Sequence, residues 1–198
     1  MKHRYFGLLL FAFVALTSEA QAITVGIDPA TQTIGPGSST KVALTIAGLG
    51  SGTSPSLSTY DLNIAYDPSV ITLTGVTFGD PVLSDQLDLF SLGSITSSSD
   101  SPPGTLNVFE LSLDSPSGID ARQANAFTLA TLSFNALAGG TSPLTLTINA
   151  LGDANGDPLV TDIASGSITV NAVPLPPALG LFVLGLAGLL GRAVVRNA

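Results

Sequence analysis

Three oxygen-bearing side chains stand at alternate positions in the stretch DANGDP: Asp153, Asn155 and Asp157. A calcium-binding loop places oxygen ligands at positions 1, 3 and 5 in this way, because the cation gathers several hard oxygens from one compact turn. The pattern then departs from such a loop. Pro158 occupies position 6, where glycine makes the sharp turn, and Ala164 occupies position 12, where a bidentate glutamate belongs. Asn155-Gly156 is also a strong hairpin-turn pair. A plain turn is the expectation here, with calcium at Asp153, Asn155 and Asp157 as the alternative.

Other reactive chemistry is scarce. The single histidine, His3, lies in the first residues, and the chain has no cysteine and no tryptophan. Without histidine or cysteine, Ser-His-Asp and Cys-His nucleophile systems are excluded from the region after the leader, as are zinc sites built on those ligands. No Gly-rich phosphate loop joins a strand to a helix, so nucleotide binding has no support. Paired carboxylates are the remaining catalytic device, and a glycosidase would need two of them about 5–9 Å apart across a cleft. The one glutamate between Ile23 and Val173 is Glu110, inside an alternating segment where a solvent-facing charge is expected. The chain reads as a non-enzyme, with no cofactor expected apart from the calcium alternative.

Charge narrows the partners. Lys41 and Arg122 are the only basic side chains between Ile23 and Val173, and the formal net charge of the whole chain is −8. Such a surface repels phosphate backbones and anionic headgroups, which argues against nucleic acid as a partner.

Apolar residues alternate in ITVGI (Ile23, Val25, Ile27), KVALTIAG (Val42, Leu44, Ile46) and TYDLNIAY (Tyr60, Leu62, Ile64, Tyr66). In VITLTGVTF the parity changes at Gly75, which predicts a bulge. TLNVFELSL shows a similar slip, from Leu106 and Val108 to Phe109, Leu111 and Leu113. AFTLATLSF, PLTLTINA and SGSITV continue the period of two, which marks half-buried strands. No helical period intervenes, so two packed antiparallel sheets are predicted. Gly48–Ser58 and Gly93–Gly104 read as exposed loops. In Tyr66-Asp67-Pro68, the proline presets a turn whose amides the Asp67 carboxylate can cap, with Tyr66 packed beneath. The few aromatic residues are expected in the core, with Phe90 the candidate for exposure.

The two ends carry addresses. Residues 1–22 have a basic start, an apolar core from about Phe6 to Leu16, and Ala20 and Ala22 at the −3 and −1 positions, which describes a secretory signal peptide cleaved after Ala22. Residues 173–198 begin Val173-Pro174-Leu175-Pro176-Pro177, continue through an uncharged Gly-rich run to Gly191, and end with Arg192 and Arg196. Extended through Val195 with Arg192 snorkelling, the run is long enough to cross a membrane as a helix with its arginines on the cytoplasmic side.

Two resemblances follow from these residues. YDLNIAYDPSVITLTGVTFGD (Tyr60 to Asp80), ATLSFNAL, SPLTLTINALGDANGDPLV and SGSITV resemble the cohesin pattern. The resemblance implies an all-β, cohesin-like jelly-roll sandwich of about nine strands over residues 23–172, related to carbohydrate-binding modules. The tail resembles the PEP-CTERM sorting signal in its VPLP variant. That implies export by a Gram-negative bacterium, transit through the inner membrane, processing by an exosortase near the proline motif, and a destination at the cell surface or in exopolysaccharide. Together they predict an exported structural or adhesive interaction module whose partners are extracellular polysaccharide or envelope proteins. The alternative is a carbohydrate-binding or calcium-dependent recognition module on an ordinary C-terminal membrane anchor.

Overall fold

The first alternating segment forms β1 (Ile23–Asp28), with Ile23, Val25 and Ile27 buried as the pattern requires. The chain then changes layer within two residues and continues as β2 (Thr31–Ile34). β3 (Ser39–Ala47), β4 (Thr59–Ala65) and β5 (Ile71–Phe78) follow, then β6 (Ser94–Asp100) and β7 (Thr105–Ser112). A short helix, α1 (Pro116–Arg122), precedes β8 (Ala126–Ala136), β9 (Gly140–Gly152), β10 (Thr161–Ala164) and β11 (Gly166–Val170). This computed structural model describes residues 22–172. The leader with Ala20, and the segment carrying Val173, Pro174, Leu175, Pro176, Pro177, Arg192 and Arg196, lie outside the described residues, as do both expected terminal helices. Among the described residues no helix is long and apolar enough to cross a membrane.

Two sheets face each other. One has the order β10-β1-β3-β8-β5, the other β2-β11-β9-β4-β7-β6. Pairing is antiparallel except where β1 meets β10 and β2 meets β11. Both the first and the last segments of the sandwich therefore contribute a strand to each sheet, crossing between layers side by side. At the crossing the Ser167 amide donates to the Ala30 carbonyl at 2.8 Å. Gly166 permits that approach, because a Cβ there would lie 2.8 Å from the Ala30 oxygen.

Between the sheets lies one continuous core, including Val42, Leu44, Ile46, Tyr60, Leu62, Ile64, Leu106, Val108, Leu132 and Phe134. Tyr66 meets Phe134 edge-on at 5.4 Å between centroids. Longer connections, at residues 48–58, 79–93, 113–125 and 153–160, gather at the end where β1 begins. Short turns occupy the opposite end, where β11 finishes. The beginning and end of the domain thus lie at opposite poles.

Several expectations are corrected. Eleven strands replace about nine: TQTI and TDIA are too short and polar to show a period, yet each runs beside a longer neighbour after a change of layer. Much of Gly93–Gly104 is strand β6, not loop; its serines carry no apolar signal, and its ladder with β7 defines it. The helix α1 has no counterpart in the sequence pattern, because seven residues with one buried side chain, Ile119, cannot display a helical period. The bulge at Gly75 is present, with the register shifting between Leu73 and Gly75. The slip in TLNVFELSL is absent: β7 pairs without interruption and buries Leu106, Val108, Glu110 and Ser112 in strict alternation.

Candidate functional site

The unbroken register of β7 settles what each of its faces presents. Asn107, Phe109 and Leu111 point outward from the six-stranded sheet, half-buried, beside exposed Ile95 on β6 and Asp61 and Asn63 on β4. β9 adds one residue at its register shift opposite Asp61 and Leu62, and that residue is Asn149. The extra residue re-aims the side chain, as bulges do.

Four side chains on these three strands close a hydrogen-bonded ring. Asn107 Nδ2 donates to Asp61 Oδ1 at 2.6 Å and to Asn63 Oδ1 at 3.0 Å. Asn63 Nδ2 donates to Asn149 Oδ1 at 3.1 Å, and Asn149 Nδ2 returns to Asp61 Oδ1 at 3.0 Å. Each short polar group fixes its neighbours, so the ring offers a rigid set of donors and acceptors. Phe109, Leu111 and Ile95 form an apolar border toward the sheet edge. A preorganised polar centre with an apolar border suits recognition of another surface. Its members, three amides and one carboxylate, include no nucleophile–base pair. Nothing in the sequence patterns singled out this ring, because its members come from three strands and one of them depends on a bulge.

The inner face of β7 holds the larger surprise. Glu110, expected to face solvent, is fully buried. Its Oε2 accepts the Tyr60 hydroxyl at 2.9 Å and its Oε1 accepts the Ser94 hydroxyl at 2.6 Å. Burial pushes its carboxyl up to about 7, against the pull of the Ser94 and Tyr60 hydrogen bonds and with help from the neighbouring Asp85 carboxylate. Tyr60 is driven upward too, by burial first and then by Glu110. With no exposed surface, Glu110 cannot meet a substrate. Two carboxyl groups come together here, Glu110 fully buried and Asp85 half-buried.

The other singled-out residues have local roles. Asp153 Oδ1 accepts the amides of Asn155 at 2.8 Å and Asp157 at 2.9 Å, and Gly156 turns the chain with φ at +87°. DANGDP is thus a carboxylate-capped turn, with Asn155 and Asp157 at the surface. Among the described residues no three acidic or histidine side chains gather as metal ligands. Asp67 caps its own turn, accepting the Ser69 hydroxyl and amide, and these bonds hold its carboxyl below the usual range. Tyr66 packs beneath that turn and donates to Asp100. Phe90 is 39% exposed and lies under the Arg122 guanidinium at 4.7 Å. Tyr60, Tyr66, Phe127 and Phe134 are all in the core, so the aromatic residues do not line up on one outer face.

Comparison with known proteins places this geometry. No curated protein matches the chain. Its fold is similar to the cohesin in a type I cohesin–dockerin complex, Coh-OlpC-Doc435, from Clostridium thermocellum, at 14% identity and a TM-score of 0.60, covering 77% of this chain and 96% of that one. It is also similar to CaCohA2 from Clostridium acetobutylicum, seen in complex with a variant of CaDoc0917, at 24% identity and a TM-score of 0.57 over 75% and 99%. A non-cellulosomal cohesin from the hyperthermophilic archaeon Archaeoglobus fulgidus matches at 15% identity and a TM-score of 0.55 over 76% and 92%. The family model for the cohesin domain matches residues 23–170, nearly the whole sandwich, and the chain belongs to the cohesin-domain family.

Proposed function

We propose that this chain is an exported, non-catalytic docking module that binds a partner protein on the outer face of its six-stranded sheet. The observation that carries this reading is the closed ring of Asp61, Asn63, Asn107 and Asn149, bordered by Phe109, Leu111 and Ile95. Rigid polar groups beside an apolar border lose little freedom on binding, which favours a protein surface over a flexible glycan. Cohesins of this fold occur in complexes with dockerins, and a dockerin-type partner is the reading that similarity supports. The sugar-binding reading has less support, since the sheet face lacks a row of aromatic platforms.

The ends of the chain give the module its address. Residues 1–22 are read as a signal peptide, and residues 173–198 as a sorting signal recognised by an exosortase in the inner membrane. The sandwich would then be delivered to the cell surface or the exopolysaccharide of a Gram-negative bacterium, where its docking face serves a structural or adhesive role.

Two measurements test the proposal. Calorimetry of the full-length chain in mild detergent against dockerin modules from the same genome should give one-to-one binding. Phe109→Asp and Asn107→Ala should weaken it at least about tenfold, while Thr77→Asp, exposed on the opposite sheet, should leave it unchanged. Equal effects of all three, or no dockerin bound, would remove the docking reading. Intact mass and C-terminal peptide mapping of protein from the host's surface should find chains ending near Pro174 to Pro177. Chains running through Ala198 in the membrane fraction would mean an ordinary anchor.

A further inference from the structure

The edge strand β6 is held in an unusual way. Thr96 and Ser98 lie on its inward side, opposite Glu110 and Val108, yet both are exposed, because β6 overhangs the other sheet. Ile95, its one apolar side chain, faces outward and is 50% exposed. Burial therefore contributes almost nothing to this strand. Besides its ladder with β7, it is fastened by one polar contact at each end: Ser94 to Glu110 at one, Asp100 with Tyr66 at the other.

The contact at the Ser94 end is built around a carboxyl group without a cation. Among the described residues the only basic side chains are Lys41, on β3 in the other sheet, and Arg122, over Phe90. The titratable groups facing Glu110 are Asp85, from the connection ahead of β6, and Tyr60, from β4. β6 presents only the Ser94 hydroxyl, which also reaches Asp85 Oδ2 at 3.4 Å. β8 presents only the Leu129 carbonyl, 3.3 Å from the Tyr60 hydroxyl. With a proton on Glu110, one continuous arrangement satisfies every group. Glu110 donates to Tyr60, Tyr60 donates to the Leu129 carbonyl on the opposite sheet, and Ser94 donates to the other Glu110 oxygen. Without that proton, the buried Glu110 carboxylate faces the half-buried Asp85 carboxylate with one hydroxyl between them.

We propose that Glu110 is a proton-operated latch: protonated, it fastens the edge strand β6 to the sandwich, and on losing its proton it releases that strand. The direction follows from the charges. The ionised form is opposed both by burial and by Asp85, and the cheapest relief is to admit water by lifting the end of β6 that carries Ser94. β6 has little apolar surface to hold it down, whereas β4 and β7 are locked in the core and the connection before β6 stays anchored by buried Leu87 and Gln86. The release would open one margin of the outer sheet face while leaving the rest of the sandwich closed.

Hydrogen exchange read by mass spectrometry on the full-length chain in mild detergent tests this. Protection factors, corrected for the intrinsic pH dependence of exchange, are compared between pH 5.5 and 8.5. Peptides covering β6, residues 94–100, should lose at least about tenfold protection over this range, while peptides from β3 and β8 stay constant. Glu110→Gln, which keeps a neutral group of the same shape, should hold the protection of residues 94–100 constant with pH. Asp85→Asn should also reduce the loss, and it decides the matter if Glu110→Gln does not fold. Constant protection in the natural chain would overturn the latch, as would an equal loss in the variants.

Discussion

Glu110 also shows how one residue sets the pH response of the whole fold. In the unfolded chain its carboxyl has its ordinary value of 4.5, whereas in the fold it is pushed up to about 7. The folded state binds the proton more tightly, so the stabilisation is complete below 4.5 and is lost as pH rises through about 7. A shift of this size, discounted for water entering at the sheet edge, is worth about 2 kcal/mol. Urea unfolding of the full-length chain should give a midpoint that falls between pH 5 and pH 8, and Glu110→Gln should flatten that fall. A midpoint rising with pH would mean that the carboxyl is charged in the native state. Asp67 acts in the opposite direction, because its capping bonds favour the ionised form, but it is partly open to solvent, which screens its effect.

At the scale of elements, much of the sandwich is legible in the sequence because its core strands obey parity. Val42, Leu44 and Ile46, and Tyr60 through Tyr66, are buried as their alternation requires. The bulge at Gly75 is visible because the apolar residues change parity around it. β7 misleads for a physical reason. Its outward face carries Phe109 and Leu111, part of the candidate docking border, and its inward face carries a carboxyl group, so hydropathy and orientation are exchanged over half the strand. β6 is invisible because an overhanging edge strand needs hydrogen bonds and no apolar side chains. The amide ring is hidden as well, since Asn149 reaches Asp61 and Asn63 only after a bulge in another strand.

The loop-rich pole depends on one buried side chain that no pattern marks. Gln123, just after α1, accepts the Leu57 amide at 2.6 Å, donates to the Leu57 carbonyl at 2.8 Å and donates to the Gln86 carbonyl at 3.0 Å. It therefore ties together the connections at residues 48–58, 79–93 and 113–125. Gln123→Ala would leave the buried Leu57 amide without its acceptor and free three connections together. The expected cost is about 2–4 kcal/mol in urea unfolding, with exchange protection lost first at Leu57 and Gln86. A change of a few tenths would show that water replaces the side chain and that the connections hold without it.

For the whole molecule, the decisive feature is the pair of crossings by which β1–β2 and β10–β11 run side by side between the sheets. Gly166→Val should disturb both sheets together, because its side chain would strike the Ala30 carbonyl and Ile27. A loss of about 2–3 kcal/mol is expected, with unfolding still a single transition. Two separated transitions would show that the sheets do not depend on this crossing. The same feature sets a timetable. A chain is made from its N-terminus, so β1 waits with one side unpaired, and β2, whose one neighbour is β11, waits with no partner, while every other strand arrives. Their parallel neighbours, Thr161–Val170, come last. Closure is therefore the last step in folding of the nascent domain, and it can occur only once those last residues have left the ribosome.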